Sequence, residues 1–316
     1  MAVNTKIIQR RIKSVKNTRK ITKAMEMVAA AKMRRAVEAA LNTRTYASLA
    51  WDLLVNLSKS QKKVLPLLET RPVKKLLVIL VTSNRGLCGS FNSNILKKIA
   101  KELADPKNIS RHRLLDSIIE PSENIEIDVL GVGKKGVSFA KKNDYDLIAS
   151  FTELSDTPKL DDVLPITKMV IDDFIEKKYD KVVVAYTDYQ SAISQVAKLR
   201  QVLPVSEFDL EKMLEEAGED DDFDIKSDLD ISDYVFEPSK EEVLDIILPR
   251  LVETQIYQAL LESSASEHSA RMLAMRNASD AAGDMIEDLT LTFNKARQAG
   301  ITQEIAEIAS GAAALE

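Results

Sequence analysis

The stretch MRNASDAAGDMIEDLTLTFNKA, residues 275–296, decides the architecture. Its apolar positions Met275, Ala278, Ala282, Met285, Leu289, Phe293 and Ala296 recur in steps of three and four. That is the spacing of a helix burying one narrow stripe against another helix. The pattern resumes after Gly300 at Ile301, Ile305, Ile308, Ala312 and Leu315. The expectation is one long coiled-coil helix. Upstream, Ser239-Lys-Glu-Glu242 follows Pro238 and has the form of a capping box, which opens that helix. Pro249 is expected to start the main helix or to kink it.

The partner lies at the other end of the chain. Residues 4 to about 60 hold good helix formers and neither Gly nor Pro. Apolar positions recur as Ile8, Ile12 and Val15, then after a phase slip as Ile21, Met25 and Val28. Residues 28–37, VAAAKMRRAV, offer only a thin stripe of small side chains. Such a stripe cannot cover a broad core, but it lets one other helix approach closely. A helix of roughly 55 residues would reach about 80 Å.

Between the two helices the periodicity changes. Apolar β-rich runs at Lys75–Thr82, Ile125–Leu130 and Lys181–Tyr186 alternate with helical patterns at 92–104, 134–142 and 160–177. Buried strands separated by helices predict a mainly parallel sheet with helical flanks, and Gln195–Leu203 adds an edge strand. The expected division is an N-terminal helix over 1–65, an α/β domain over 70–206, an acidic insertion over 207–238 and a C-terminal helix over 239–316.

Composition narrows the chemistry. The 316 residues are 45% hydrophobic, 29% charged and only 5% aromatic, with nine Gly and nine Pro. Cys88 is the only cysteine, and His112 and His268 the only histidines. Intrachain disulfides, multi-cysteine zinc sites and His-rich metal sites are therefore excluded. No run approaches the roughly 18 apolar residues of a membrane span, and the start MAVNTKIIQRRI has no signal-peptide core, so a cytosolic product is expected.

The net charge of −5 conceals opposite blocks. Residues 1–46 carry twelve basic side chains against Glu26 and Glu38, a net +10. Residues 207–233 carry thirteen acids against Lys212 and Lys226, a net −11. Blocks of this size point to macromolecular partners.

Each glycine-punctuated or charged motif has a functional and a bland reading. Gly131-Val-Gly133-Lys-Lys-Gly136 fits the dinucleotide fingerprint, with Glu153 at a ribose-binding distance downstream. Its alternative is a tight βα turn, favoured by the short following helix and the lack of a hydride-transfer partner. Residues 82–91, TSNRGLCGSF, lack the Lys-[Ser/Thr] pair of a phosphate loop, and Cys88 has no recognisable base, so a structural thiol is expected. The acidic run Asp220–Asp224 fails as an EF-hand, because Ile225 and Ile231 replace the required Gly and Glu. The basic N-terminal helix has no aromatic before Tyr46, which argues against nucleic acid, and no broad apolar face, which argues against a membrane surface.

Three segments carry a family resemblance. They are residues 20–33, KITKAMEMVAAAKM; the loop Arg85-Gly-Leu-Cys-Gly89; and residues 266–314, from SEHSARM through NKARQA to ITQEIAEIASGAAA. Together they closely resemble the gamma subunit of rotary ATP synthases, and the resemblance covers essentially the whole chain. It implies an antiparallel two-helix coiled coil with a central Rossmann-like α/β domain. It also implies a rotor shaft that performs no bond chemistry and needs no cofactor or metal.

The implied partners are the alpha, beta, epsilon and delta subunits and the c ring. The implied location is peripheral, on the cytoplasmic face of the cell membrane. By the same resemblance Met25, Lys23, Arg297, Gln298, Thr302, Glu304 and Glu307 contact beta, and the apolar tip from Ile305 turns in a hydrophobic collar. Tyr234 and Glu237 meet the c ring or epsilon at the foot. Glu267 and Arg271, four apart, are read as a supporting pair on one helix face.

Overall fold

The computed structural model describes residues 5–58, 65–113, 118–206 and 239–313. The acidic run 207–238, with Tyr234 and Glu237, lies outside the described residues. Two helices dominate: α1, Thr5–Ser58, of 54 residues, and α6, Lys240–Ala313, of 74 residues. The Ser239 hydroxyl accepts the Glu242 amide at 3.2 Å, which is one half of the capping box that opens α6. Pro249 lies inside α6 rather than at its start. The chain divides into two compact units, residues 1–30 with 271–316, and residues 31–270.

The larger unit is built on a five-stranded sheet. Its strands are β1 Lys75–Val81, β4 Glu126–Val132, β5 Asp146–Phe151, β6 Lys181–Tyr189 and β7 Gln195–Leu203. A small hairpin, β2 His112–Arg113 with β3 Ile118–Ile119, stands apart from it. The order is β5-β4-β1-β6-β7, with β7 alone antiparallel. Strands β1 and β6 sit inside the sheet because every position in them but Lys75 and Tyr189 is buried, which requires cover on both faces.

Helices α2, Phe91–Ala104, and α4, Lys134–Lys142, cover one face around Ile95, Ile99 and Ala140. Helix α5, Leu160–Ile175, and the early turns of α6 cover the other, through Val163, Val170, Leu248 and Ile256. A four-residue helix α3, Lys107–Ser110, leads into β2. Strand β5 is absent from the sequence reading. It is a half-buried edge whose residues DLIASF lack a continuous apolar run.

In the smaller unit the two long helices run antiparallel. The Thr22 and Ser279 hydroxyls hydrogen-bond at 2.6 Å, and the Arg19 guanidinium packs against Gly283. Protected positions of α6 include Met275, Ser279, Ala282, Ile286, Leu289, Phe293, Ala296 and Gly300, alternating steps of four and three. This is a strict 3.5-residue repeat. It corrects the expected seam at two places: Ser279, buried, takes the position assigned to half-buried Ala278, and Ile286 that of Met285, which is 45% exposed.

Helix α1 also departs from expectation. The stripe Ile8, Ile12, Val15 continues without a slip through Thr22, Glu26 and Ala29, with the exposed Arg19 at the position between. Ile21 and Val28, expected in the seam, are 61% and 55% exposed. Polar groups hold the seam because each finds a partner: Thr22 has Ser279 and Glu26 has Lys23, while the exposed Arg19 lays its guanidinium against Gly283.

Candidate functional site

Two surfaces were candidates for function, the crevice at the carboxyl ends of the strands and the exposed shaft. The crevice is where open α/β sheets bind ligands. Here the chain fills it. Gly133 has φ +89°, and a Cβ there would lie 2.1 Å from the Thr82 carbonyl oxygen. The first amides of α4 are all taken by the β1–α2 loop. Lys134 N–H donates to Asn84 Oδ1 at 3.1 Å, Lys135 N–H to the Ser83 carbonyl at 3.3 Å, and Gly136 N–H to Thr82 Oγ1 at 2.7 Å. A pyrophosphate needs those amides. The glycine motif is therefore a tight βα turn, and the dinucleotide reading has no geometry behind it.

The same loop holds Cys88. Its thiol is 2% exposed, and Asn92 Nδ2 donates to its sulfur at 3.2 Å. Asn92 also bonds Ser83 through both ends of its amide, at 3.0 and 2.7 Å. Cys88 is a structural thiol. Leu87 beside it adopts φ 65° and is 63% exposed.

Above β5 and β6, helix α6 is fastened to backbone carbonyls by small polar side chains. Ser266 donates to Thr187 O at 3.1 Å and Ser269 to Ala192 O at 2.6 Å. Ser264 donates to Asp156 O, and His268 Nε2 lies 3.2 Å from the same oxygen. The Asp156 carboxylate in turn pairs with Lys32 of α1, which holds its pKa below the ordinary value. The sequence reading missed this clasp. Its only signal was the run Ser263-Ser-Ala-Ser266 on an otherwise apolar helix.

On the shaft, Lys23 is exposed and its ammonium pairs with Glu26 at 2.9 Å. Met25 is half-buried beside the seam residue Glu26, while Ile21, Met27 and Val28 project outward. Arg297, Gln298, Thr302, Glu304 and Glu307 are all exposed. They form two stripes rather than one. At about 100° per residue, Arg297, Glu304 and Glu307 share one side of α6, and Gln298 and Thr302 another.

The hydroxyl of Thr302 is turned onto its own helix, donating to Gln298 O at 3.0 Å. Glu307 accepts from Gln303 at 2.9 Å. Glu267 and Arg271 are half-buried, one turn apart on α6.

The antiparallel register places Thr5 opposite Ala296 and Arg297. Beyond Gln298 no described residue of α1 lies alongside α6. Residues 301–311 are all exposed, including Ile301, Ile305 and Ile308 at 44%, 61% and 73%. The expected resumption of the seam after Gly300 is thus corrected: this apolar spacing faces outward on a single helix. Among the described residues no helix is long and apolar enough to cross a membrane, and no cluster of metal-ligating side chains occurs.

Comparison with known proteins agrees with this layout. The family model described as ATP synthase matches residues 4–315. The ATP synthase gamma chain of Roseiflexus castenholzii is 42% identical, over 99% of this chain and 98% of its own length. That of Herpetosiphon aurantiacus is 43% identical, over 98% and 97%.

Among solved structures, a chain of the central stalk and c-ring structure of the Tetrahymena thermophila mitochondrial ATP synthase aligns with a TM-score of 0.54 at 26% identity. It covers 82% of this chain and 99% of that one. A chain from the rotor of the Euglena gracilis enzyme aligns at 0.58 over 94% and 98%, with 18% identity, and so speaks to the fold alone. With a family model spanning nearly every residue and relatives above 40% identity end to end, the chain belongs to the ATP synthase gamma chain family.

Proposed function

We propose that this chain is the central rotor shaft of an ATP synthase, a non-catalytic subunit that couples proton flow in the membrane sector to nucleotide chemistry in an alpha-beta head. The observation that carries the reading is the tip of α6. It is a single helix with outward apolar residues and no packed partner among the described residues, flanked by exposed charges placed unequally around its axis. An apolar tip turns in a collar without directional bonds to break. The unequal sides let one shaft bias each beta subunit differently at a given angle, and by linkage the nucleotide states of beta bias the shaft in return.

In this reading Arg297, Glu304 and Glu307 meet one beta subunit while Gln298 and Thr302 face elsewhere. Met25 and Lys23 lie along the beta lever. Glu267 and Arg271 support the helix between tip and domain, and Tyr234 and Glu237 belong to the foot. The functional parts are the helices over 1–65 and 239–316, the α/β domain over 70–206 and the insertion over 207–238. The partners are alpha, beta, epsilon, delta and the c ring. The subunit is peripheral, on the cytoplasmic face of the cell membrane.

The test is co-purification. Tagged chain recovered from its source should bring alpha and beta subunits and ATPase activity. Recovery of the chain without either would sink the proposal.

A further inference from the structure

The two helical faces of the α/β domain carry opposite charge. Helices α2 and α4, side by side on one face, hold Lys97, Lys98, Lys101, Lys134, Lys135, Lys141 and Lys142 against the single acid Glu102. All seven lysines are exposed, and none forms an ion pair with a described residue. On the opposite face α5 carries Asp161, Asp162, Asp172 and Asp173 against Lys168. With a net +6 on α2 and α4 and a net −3 on α5, the sheet has one side prepared for an acidic partner.

We propose that the occupant of the lysine face is the chain's own acidic segment, residues 207–233. Three observations favour it. The segment carries a net −11, the strongest opposite charge in the sequence. It departs from β7, the strand against which α2 packs. Finally, Leu203 at the end of β7 pairs with Val182 at the start of β6, so the segment leaves at the end of the sheet where parallel strands begin. Helices α2 and α4 each follow a parallel strand and run back toward that end. Lys97, Lys98, Lys101, Lys141 and Lys142, in their later turns, therefore lie nearest the exit.

The path must round the edge of the sheet. Val205 is held by its amide to Leu67 O at 2.9 Å and joins the core beneath α5 and α6. From Ser206 to the start of α6 the chain has thirty-two residues, 207–238. Extended, they span about 100 Å, whereas rounding one strand and one helix takes on the order of 20 Å each way. The acids of α5 repel the segment from the nearer face. Each exposed pair is weak, but tethering gives an effective concentration on the order of millimolar, so several weak pairs suffice.

The test uses the purified full-length chain and a carbodiimide, which joins a lysine amine to a carboxylate only in direct contact. The exposed Lys75–Glu126 pair, at 2.6 Å, is the internal control. At about 0.1 M salt, peptides from 207–233 should link to those containing Lys97, Lys98, Lys101, Lys141 or Lys142. The yield should fall at least about fivefold at about 1 M, as the screening length drops from about 10 to about 3 Å.

A variant with all five of those lysines changed to Gln should be cut within 207–233 by a Glu-specific protease several-fold faster than the parent. Links from the segment only to α1 lysines or to a second chain would overturn the proposal. So would no link from it while Lys75–Glu126 forms, or equal cleavage rates in the two proteins.

Discussion

Gly133 shows how one residue decides between two functions. Its φ is +89°, and the Thr82 carbonyl oxygen stands 2.1 Å from where a Cβ would sit, which leaves room for hydrogen alone. Gly133→Ala should destabilise the domain by roughly 2–4 kcal/mol, the range of forced backbone strain plus a displaced loop, and a urea melt would measure it.

His112 is a second case. It is 1% exposed, and burial together with the nearby Lys181 ammonium lowers its pKa to about 4 from an ordinary 6.5. The folded form therefore binds fewer protons than the unfolded chain. Stability is complete above about 6.5 and is lost as the pH falls toward about 4. His112→Gln should flatten that loss, seen as a smaller difference between urea midpoints at about pH 7 and about pH 5.

Arg297 is exposed near the end of the paired shaft, where the proposed function has it meet a beta subunit. Losing a charge-assisted bond there should slow ATP turnover by roughly tenfold in Arg297→Ala while the complex stays intact. A complex that lacks the shaft altogether would reassign Arg297 to structure.

Among the elements, the seam is the most instructive. A repeat of three and four was plain in the sequence, yet Met285 and Ile286 fit it equally well from one side. Only the register against α1, fixed by Thr22 with Ser279, selects Ile286. Ile286→Ala should cost about 1–2 kcal/mol in thermal or urea unfolding, and Met285→Ala less than about 0.5 kcal/mol. Equal costs would return Met285 to the seam.

The same ambiguity explains α1. Its apolar residues suggested a slip, but a pair of polar side chains bonded to each other satisfies a seam as well as an apolar one, and periodicity does not see that. The central strands were legible because buried parallel strands read as continuous apolar runs. Strand β5 was not, since a half-buried edge needs no such run. The serine clasp of α6 was illegible for a related reason: its partners are backbone carbonyls, which leave no mark in the sequence. Of the candidate site residues, the sequence placed 297–307 on a helix, but their exposure was not legible, because the apolar spacing of Ile301, Ile305 and Ile308 reads like a continuing seam.

At the scale of the molecule, the chain has a closed ligand crevice and an open shaft. The crevice is closed because the positions where open α/β sheets hold a ligand fasten the β1–α2 loop to α4. What remains available is surface for protein partners. The most direct measurement is single-molecule rotation. Ala100, exposed on α2, would be changed to Cys and labelled with a bead, Cys88 being buried, in a complex with immobilised alpha and beta subunits. On adding ATP the account predicts one direction of rotation with three dwells per turn, one for each beta subunit. A complex that hydrolyses ATP while the bead stays fixed or wanders in both directions would contradict it.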